Sequence, residues 1–387
     1  PRPSKCPFSG RTREQGSASK RLMECAGEPW VDLSCACGAR VRTAPPGDAG
    51  LPIRCSCGAE LGIWRNGLAE IGPAAPYWGE VPAAQLARLV AEAQQGDWRA
   101  AAARWLPADL NRYITHPDRA AFADLLPLPA GARILEIGAG LGGISARLAQ
   151  QYTVVALEGV AERAAFLALR ARQDGLRRLI ALRNDFHHLA FAPGQFDAVL
   201  LNGILEWVPV GDLSAPPRAV QLRFLRTART WLAPGGMIYL AIENRFGLPQ
   251  WRGAVDHSGL RYTSLLPRPL ARLACRRARG PYRSGGNQGY RTYTYSRWGY
   301  ERLFRAAGLR PRHTYLCPRG YNLPVDIIPL EREALAFRAR HQPWQANRPL
   351  RAWWHRRLGT PWFWGAVGGD LAFVLEPRHE AATACTS

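Results

Sequence analysis

The stretch that decides the fold is Arg133-Ile-Leu-Glu-Ile-Gly-Ala-Gly-Leu-Gly-Gly143. Its first five residues form an apolar run of strand length, and a helix-length segment, residues 144–151, follows the glycines. Glycine lets the backbone approach a ligand closely and adopt dihedrals that a Cβ would forbid. A glycine-rich loop between a strand and a helix is the context that a nucleotide-type ligand requires.

The rest of this region alternates between short apolar runs and helix-length segments. The runs that predict further strands are 153–157, 179–182, 196–201, 237–242, 312–316 and 371–375. The segments that predict helices are 161–173, 219–232 and 296–307. This alternation predicts an α/β fold with a Rossmann-like, mostly parallel sheet covered on both faces. We expect one antiparallel strand near an edge and residues 371–375 to close the sheet.

Composition divides the chain into four segments. Residues 1–30 are polar and are predicted to be a flexible leader. Residues 31–76 carry paired cysteines among short alternating stretches, which predicts a small zinc-ribbon-like β module. Residues 77–126 show helical periodicity and predict a helical linker or cap. Residues 127–387 carry the α/β domain.

The chain is strongly basic, with a formal net charge of +21 over 387 residues. Lys5 and Lys20 are the only lysines, so arginine supplies nearly all the positive charge, as a GC-rich genome alone can produce. Such a charge can also attract RNA, an anionic membrane or a phosphorylated substrate. No apolar run reaches the roughly 18 residues of a membrane span, and the first 20 residues lack an apolar signal core. We therefore expect a soluble cytoplasmic protein.

Acidic residues stand at the ends of the first two predicted strands. Glu136 lies at the tip of the first, where a carboxylate suits a ligand with an amino group and a positive sulfonium. Glu158 ends the second strand, 18 residues after Gly140, where it can accept hydrogen bonds from both ribose hydroxyls. The alternative is an α/β domain that binds NAD or no nucleotide.

With these motifs, residues 115–317 and 371–376 resemble the class I S-adenosylmethionine-dependent methyltransferases. The resemblance implies that Glu136 holds the methionine amino group and that the loop of Gly138, Ala139, Gly140 and Gly142 lies against methionine and ribose. It implies that Glu158 binds the ribose. Three further residues complete the implied cofactor site. Asp185 and Phe186 stand in the adenine segment, and Asn202 stands in the fourth motif.

The acceptor is less well defined by the sequence. Asn202-Gly-Ile-Leu replaces the Asn/Asp-Pro-Pro-aromatic signature of enzymes that methylate base amino groups. The segments around Asp256-His257-Ser-Gly259 and 320–329 resemble a bacterial subgroup associated with polysaccharide and natural-product biosynthesis. That resemblance implies a small acceptor, anionic or a saccharide, methylated on a hydroxyl. We nominate His257 as general base and Asp256 as its partner; the alternative is a loop histidine that bonds backbone.

Four cysteines form two matched pairs, Cys35-Ala-Cys37-Gly and Cys55-Ser-Cys57-Gly. Four thiolates from two tight turns suit a tetrahedral, structural zinc ion. One residue separates the cysteines of each pair, whereas zinc ribbons usually have two. Disulfides or free thiols are the alternatives.

Two insertions, residues 245–296 and 318–365, are expected to form lids over the sheet's carboxyl edge. The first mixes arginine and tyrosine, which can bind nucleic acid, an anionic substrate or the lid itself. The second mixes tryptophan and arginine, which can line an acceptor pocket, contact a membrane or simply pack. The leading hypothesis is an O-methyltransferase; an RNA methyltransferase and a cofactor-binding scaffold without turnover are the alternatives. Nucleic acid is the less favoured partner.

Overall fold

A computed structural model describes the chain over residues 29–45, 50–75, 79, 81–185, 187–277, 290–341 and 359–378. The strands in these ranges are β1 (Val31–Ser34), β2 (Arg40–Thr43), β3 (Pro52–Arg54), β4 (Glu60–Arg65), β5 (Leu68–Glu70), β6 (Arg133–Ile137), β7 (Thr153–Glu158), β8 (Leu179–Arg183), β9 (Phe196–Asn202), β10 (Leu232–Ile242), β11 (Leu309–Cys317), β12 (Ile328–Pro329) and β13 (Asp370–Pro377).

The helices of the described ranges fall between the strands and in the two insertions. They are α1 (Ala83–Gln95), α2 (Trp98–Trp105), α3 (Ala108–Thr115), α4 (Ser145–Leu148), α5 (Ala161–Gln173), α6 (Pro217–Thr230), α7 (Leu248–Trp251), α8 (Arg268–Arg277), α9 (Arg297–Ala306), α10 (Arg332–His341) and α11 (Pro361–Val367). Short 3₁₀ segments occupy Pro117–Leu125, Val208–Val210 and Thr263–Leu265.

Eleven strands form one sheet in the order β12-β11-β13-β10-β9-β6-β7-β8-β5-β4-β3. The strands from β10 through β5 pair in parallel, and β13 runs antiparallel to both of its neighbours. Following the pairings outward, eight of the eleven strands point in the same direction. The predicted α/β class with a mostly parallel sheet is therefore confirmed.

Three details of the sheet differ from the expectation. The strand expected to close the sheet, β13, lies between β10 and β11 instead, because its long apolar run is buried on both sides. Two further strands, β4 and β12, also run against the main direction. The insertion 318–365 also supplies a strand of the sheet, because β12 pairs with β11.

The cysteine module is built into the sheet rather than set apart from it. Its first hairpin, β1-β2, forms a separate two-stranded sheet. Its second hairpin, β3-β4, continues into β5, which pairs in parallel with β8 through Leu68 opposite Ala181. The predicted segment 31–76 thus supplies three strands of the main sheet, which its short alternating pattern did not indicate.

Helices α1 to α3 cover the glycine loop that follows β6. Leu86 and Leu89 of α1, Trp98 of α2, Leu141 of the loop and Phe166 of α5 share one buried cluster. Buried Arg170 of α5 ties the layers together, since its guanidinium donates to the carbonyls of Leu141 (3.0 Å) and Ile114 (2.9 Å). The predicted helical cap therefore packs directly on the loop.

The insertion 245–296 lies at the carboxyl end of the central strands and includes α7 and α8. Part of its Arg/Tyr cluster and most of the later Trp/Arg cluster lie outside the described residues. No described helix has both the length and the apolarity to cross a membrane.

Candidate active site

The loop after β6 turns on three glycines with positive φ: Gly138 (74°), Gly140 (57°) and Gly142 (79°). The N–H groups of Gly138 and Ala139 both donate to the carbonyl of Leu157 at 2.8 and 2.9 Å, which holds the loop against β7. A Cβ on Gly138 would stand 2.1 Å from Cδ1 of Ile204. Only glycine fits that position, because both the backbone dihedral and the space exclude a side chain.

Glu158 at the end of β7 is 4% exposed and faces the loop. Its carboxylate accepts from the N–H groups of Gly140 (2.8 Å) and Val160 (2.9 Å). These bonds fix the carboxylate beside the glycine loop. This is where a side chain that binds the ribose of the cofactor is expected.

Glu136 is buried at the tip of β6 and accepts a hydrogen bond from the Ser145 hydroxyl. Burial raises its pKa to about 7, and the hydrogen bond and the charge of Arg119 oppose that rise. Arg119 comes from the 3₁₀ segment before β6 and donates to the carbonyl and side-chain oxygens of Asn322 at 2.5 and 2.7 Å. A carboxylate and a guanidinium thus face the same space.

A cleft of about 790 Å³, open to solvent, runs along this loop. It is lined by Val81, Leu86, Leu110, Tyr113, Ile114, Arg119, Glu136, Gly138, Ala139, Gly140, Leu141, Gly143, Ile144, Arg163, Asn202 and Asn322. Both side-chain polar atoms of Asn202 are buried without a hydrogen-bond partner among the described residues. Unpaired buried amide atoms, a glycine cradle and opposite charges suit a polar, zwitterionic ligand such as the expected cofactor.

Three of the predicted cofactor residues, Gly142, Glu158 and Asp185, are not among the residues that line this cleft. The carboxylate of Asp185 accepts from the N–H groups of His187 and His188 and contacts the His188 ring, all at 2.9 Å. It thus closes its own loop, and Asp185 is not among the residues that line the cleft. Phe186 lies outside the described residues.

His257 lies among carboxylates contributed by two strand ends. Its Nε2 is 2.9 Å from Oε1 of Glu243, which follows β10, and 3.5 Å from Oε1 of Glu206, which follows β9. Burial would lower the pKa of His257, but Glu243, Glu206 and Asp256 together raise it to about 10. Burial and the charge of Glu243 raise the pKa of Glu206 to about 8. His257 therefore holds its proton at neutral pH in this arrangement.

Asp256 does not contact His257 through a hydrogen bond in the described structure. Its carboxylate accepts from the backbone and hydroxyl of Ser258 (2.8 and 2.5 Å) and from the hydroxyl of Ser264 (2.6 Å), so it shapes the insertion. Glu243 is the partner of His257 instead, and the sequence analysis did not identify it. The available signal was an acid at the carboxyl end of a central strand, a position that Glu136 and Glu158 share.

A second, smaller pocket opens beside His257, and most of its lining residues carry polar side chains. It is lined by Glu243, Gln250, Val255, Asp256, His257, Ser264, Tyr290, Thr292 and Thr294. This pocket lies near the cleft, because Asn202 directly precedes Gly203 and Tyr321 directly precedes Asn322. Asn202 and Asn322 line the cleft, while the hydroxyl of Tyr321 donates to Oε1 of Glu243 (2.9 Å) and lies against Gly203.

The four cysteines meet where the two hairpin turns face each other. The turns are alike: each glycine N–H donates to the first cysteine's carbonyl at 2.9 Å, and Gly38 and Gly58 both have φ of 89°. The Sγ atoms are 3.6 Å apart for Cys35–Cys57 and for Cys37–Cys55. Zinc–sulfur bonds of ~2.3 Å place tetrahedral ligands ~3.8 Å apart, so the set fits zinc despite its short spacing.

Comparison with known proteins agrees with this geometry. Residues 135–240 match the family model described as a methyltransferase domain. This match covers the glycine loop, both acidic strand ends and Asn202. The chain therefore contains a methyltransferase domain over these residues.

Three relatives show the range of similar proteins. The chain is 32% identical over 152 residues to the ubiquinone biosynthesis O-methyltransferase of Xanthomonas axonopodis pv. citri. The aligned stretch covers 38% of this chain and 59% of that protein. It is 28% identical over 159 residues to the fatty-acid O-methyltransferase of Mycolicibacterium smegmatis, covering 40% and 53%. The solved CcbJ methyltransferase of Streptomyces caelestis is 15% identical over 72% of this chain and 95% of its own, with a TM-score of 0.42. The chain thus spans little more than half the length of these curated relatives.

Proposed function

We propose that the protein transfers a methyl group from S-adenosylmethionine to an oxygen of a small, polar acceptor. The observation that carries this proposal is the pair of neighbouring pockets, one beside the glycine loop and one beside His257. The first offers groups that suit the cofactor, and the second offers polar and titratable groups that suit a hydroxylated acceptor.

The cleft can orient the cofactor by charge. The carboxylate of Glu136 suits the methionine ammonium, and Arg119 suits the methionine carboxylate, so the two would fix the zwitterion in one direction. Glu158 would accept hydrogen bonds from the ribose hydroxyls, and the unpaired amide of Asn202 would complete its bonds to bound ligand. Asp185 and Phe186 are retained as the adenine segment.

Bound S-adenosylmethionine supplies a methyl group whose bond to the positive sulfur breaks as the acceptor oxygen bonds the carbon. The chain's contribution is to align the two cavities and exclude water. The chain must also accept the proton that the acceptor hydroxyl loses. The sequence nominates His257 as the base with Asp256 as its partner. Because the neighbouring carboxylates raise the pKa of His257 to about 10, we assign the acceptor proton to the cluster of Glu206, Glu243 and His257.

The acceptor class follows from the lining of the second cavity. Eight of its nine lining residues carry a polar side chain, which favours a hydroxyl-rich acceptor such as a saccharide. The names of the two curated relatives, both O-methyltransferases, support oxygen as the methylated atom.

We also propose that Cys35, Cys37, Cys55 and Cys57 hold a structural zinc ion. Four thiolate ligands leave no open position for chemistry, so the ion would stabilise the module and take no part in methyl transfer.

Calorimetric titration with S-adenosylmethionine and its demethylated product tests the cofactor assignment. A panel of hydroxylated acceptors, followed by mass spectrometry for the gain of one methyl group, tests the activity. A folded protein that binds neither cofactor form would refute the proposal. Binding without methylated product across the panel would favour the scaffold without turnover.

A further inference from the structure

Three side chains of metal-ligating type converge at the carboxyl ends of β9 and β10. The ligand atoms of Glu206, Glu243 and His257 all lie within 4.8 Å of one another. The two glutamates follow neighbouring parallel strands, and the insertion brings His257 over them. The cluster therefore depends on the long-range fold and not on a local sequence motif.

This cluster lacks the partners that buried charges need. Glu206 is 0% exposed, and neither of its carboxylate oxygens accepts a hydrogen bond from the described residues. Oε2 of Glu243 is also buried without a partner among them. Although Nε2 of His257 lies 2.9 Å from Glu243, it is not aligned for a hydrogen bond. Buried carboxyl oxygens without a hydrogen-bond donor are unfavourable, and a metal ion in place of the His257 proton would satisfy them.

We propose that Glu206, Glu243 and His257 bind a divalent cation of the Mg²⁺/Mn²⁺ class. Ligands at ~2.1 Å in an octahedral shell stand ~3.0 Å apart, and the observed separations from Nε2 are 2.9 and 3.5 Å. Two carboxylates favour a hard cation, and the imidazole extends the choice to Mn²⁺. A cysteine site would instead select a soft ion, so the two sites differ in chemistry.

Neighbouring side chains hold these ligands in place. The Tyr321 hydroxyl donates to Oε1 of Glu243, and the Tyr300 hydroxyl donates to the carbonyl of the same residue at 3.0 Å. The Trp207 ring packs on the His257 ring, with centroids 4.7 Å apart. Outer contacts of this kind orient ligands and tune their affinity.

The cation would also bind and activate the acceptor hydroxyl, and this part of the inference rests on the proposed function. Three protein ligands leave octahedral positions open toward the polar cavity, where an acceptor with two adjacent oxygens would chelate the ion. The bound hydroxyl would lose its proton to a carboxylate oxygen not used as a ligand, and its oxygen would then attack the methyl group. His257 would serve as ligand instead of base, and its imidazolium would release the Nε2 proton to solvent when the cation binds.

Electron paramagnetic resonance of Mn²⁺ added to the zinc-loaded full chain tests the site directly. We expect one Mn²⁺ bound per chain and competition by Mg²⁺. Glu206→Gln and Glu243→Gln should each weaken Mn²⁺ binding at least tenfold. Glu333→Gln, an exposed change on α10, should leave binding unchanged.

Two controls keep the outcomes distinct. Binding of the demethylated cofactor product, measured on every variant, shows that the domain is folded and reports on the proposed function separately. A wild-type protein that binds this product but no Mn²⁺ would overturn the cation site, leaving the His257 imidazolium as the positive charge. Mn²⁺ binding that survives both substitutions would overturn it equally.

Discussion

The buried carboxyl group of Glu136 makes the stability of the fold depend on pH. It is buried, and its pKa is raised from 4.5 to about 7, chiefly by burial. The folded chain therefore holds this proton more tightly than the unfolded chain does. The contribution of Glu136 to stability is full below pH 4.5 and is lost as pH rises toward 7.

The substitution Glu136→Gln should remove this loss of stability with rising pH, because glutamine does not titrate. Between pH 5 and pH 8 the free energy of unfolding of the wild type should fall by up to about 3 kcal/mol more than that of the variant, at ~1.4 kcal/mol per pKa unit. Denaturant titrations at several pH values measure the difference. Glu162→Gln, in the first turn of α5, is the matched control; parallel curves for wild type and Glu136→Gln would contradict the assignment.

Glu158 is expected to act on the ligand more than on the fold. Glu158→Gln keeps the shape of the side chain but loses the charge-assisted hydrogen bonds to ribose, so cofactor affinity should fall by about 1–3 kcal/mol. Calorimetry with the demethylated product measures this change. The same Glu162→Gln variant should bind normally, and unaltered affinity in Glu158→Gln would remove Glu158 from the site.

Alanine substitutions at Gly138 and Gly131 distinguish the cost of backbone strain from the cost of a steric clash. Both have φ of 74°, but a Cβ would meet Ile204 only at Gly138, since at Gly131 it meets no atom within 4 Å of those described. Gly138→Ala should therefore destabilise the fold by about 1–3 kcal/mol more than Gly131→Ala. Thermal unfolding measures both, and Ile204→Ala should partly rescue Gly138→Ala. Equal losses would show that strain alone matters.

Sequence reasoning located the residues whose role is local and missed those whose role depends on distant contacts. Glu136, Glu158 and the glycines stand at strand ends or in one loop, where spacing alone indicates their position. Arg119 and Glu243 reach the site through contacts with Asn322 and His257, respectively. Asp256 was assigned to His257 because it precedes it, whereas its carboxylate bonds Ser258 and Ser264.

At the scale of elements, the central strands and helix α5 lie where periodicity predicts them. Strand β6 and helix α5 have the expected bounds, because buried runs of five residues and a thirteen-residue amphipathic segment are unambiguous. The place of β13 between β10 and β11 was not predictable, since an apolar run does not indicate which strands it pairs with. Strand β5, three residues long, carries too little pattern to indicate its partner.

The two cysteine hairpins give a prediction of their own. Cys55→Ser should remove a thiolate ligand of the proposed zinc ion, lower the zinc content measured by elemental analysis, and lower the melting temperature. Cys275→Ser, a change in helix α8 far along the chain, is the control and should retain zinc. A variant with full zinc and unchanged melting would exclude Cys55 as a ligand.

At the scale of the molecule, the module and the methyltransferase domain are joined along one continuous sheet. Beyond the β5–β8 pairing, Trp30 lies between the guanidinium groups of Arg42 and Arg133, at 3.6 and 3.5 Å from its ring centroid. Arg133 begins β6 and also donates to the Trp30 carbonyl at 2.8 Å. These contacts connect the cysteine hairpins to the strand that carries the glycine loop.

The three short strands of the module also decide what the sheet presents to other chains. Its outermost strand on that side, β3, has three residues and an Arg54–Glu60 ion pair beside it, features that discourage pairing with a second copy. If β3 to β5 detached, the buried strand β8 would offer its open backbone to any neighbouring chain. Strands β3 to β5 therefore protect the edge of β8. If the proposed zinc ion holds them in place, its removal should cause aggregation before helical structure is lost.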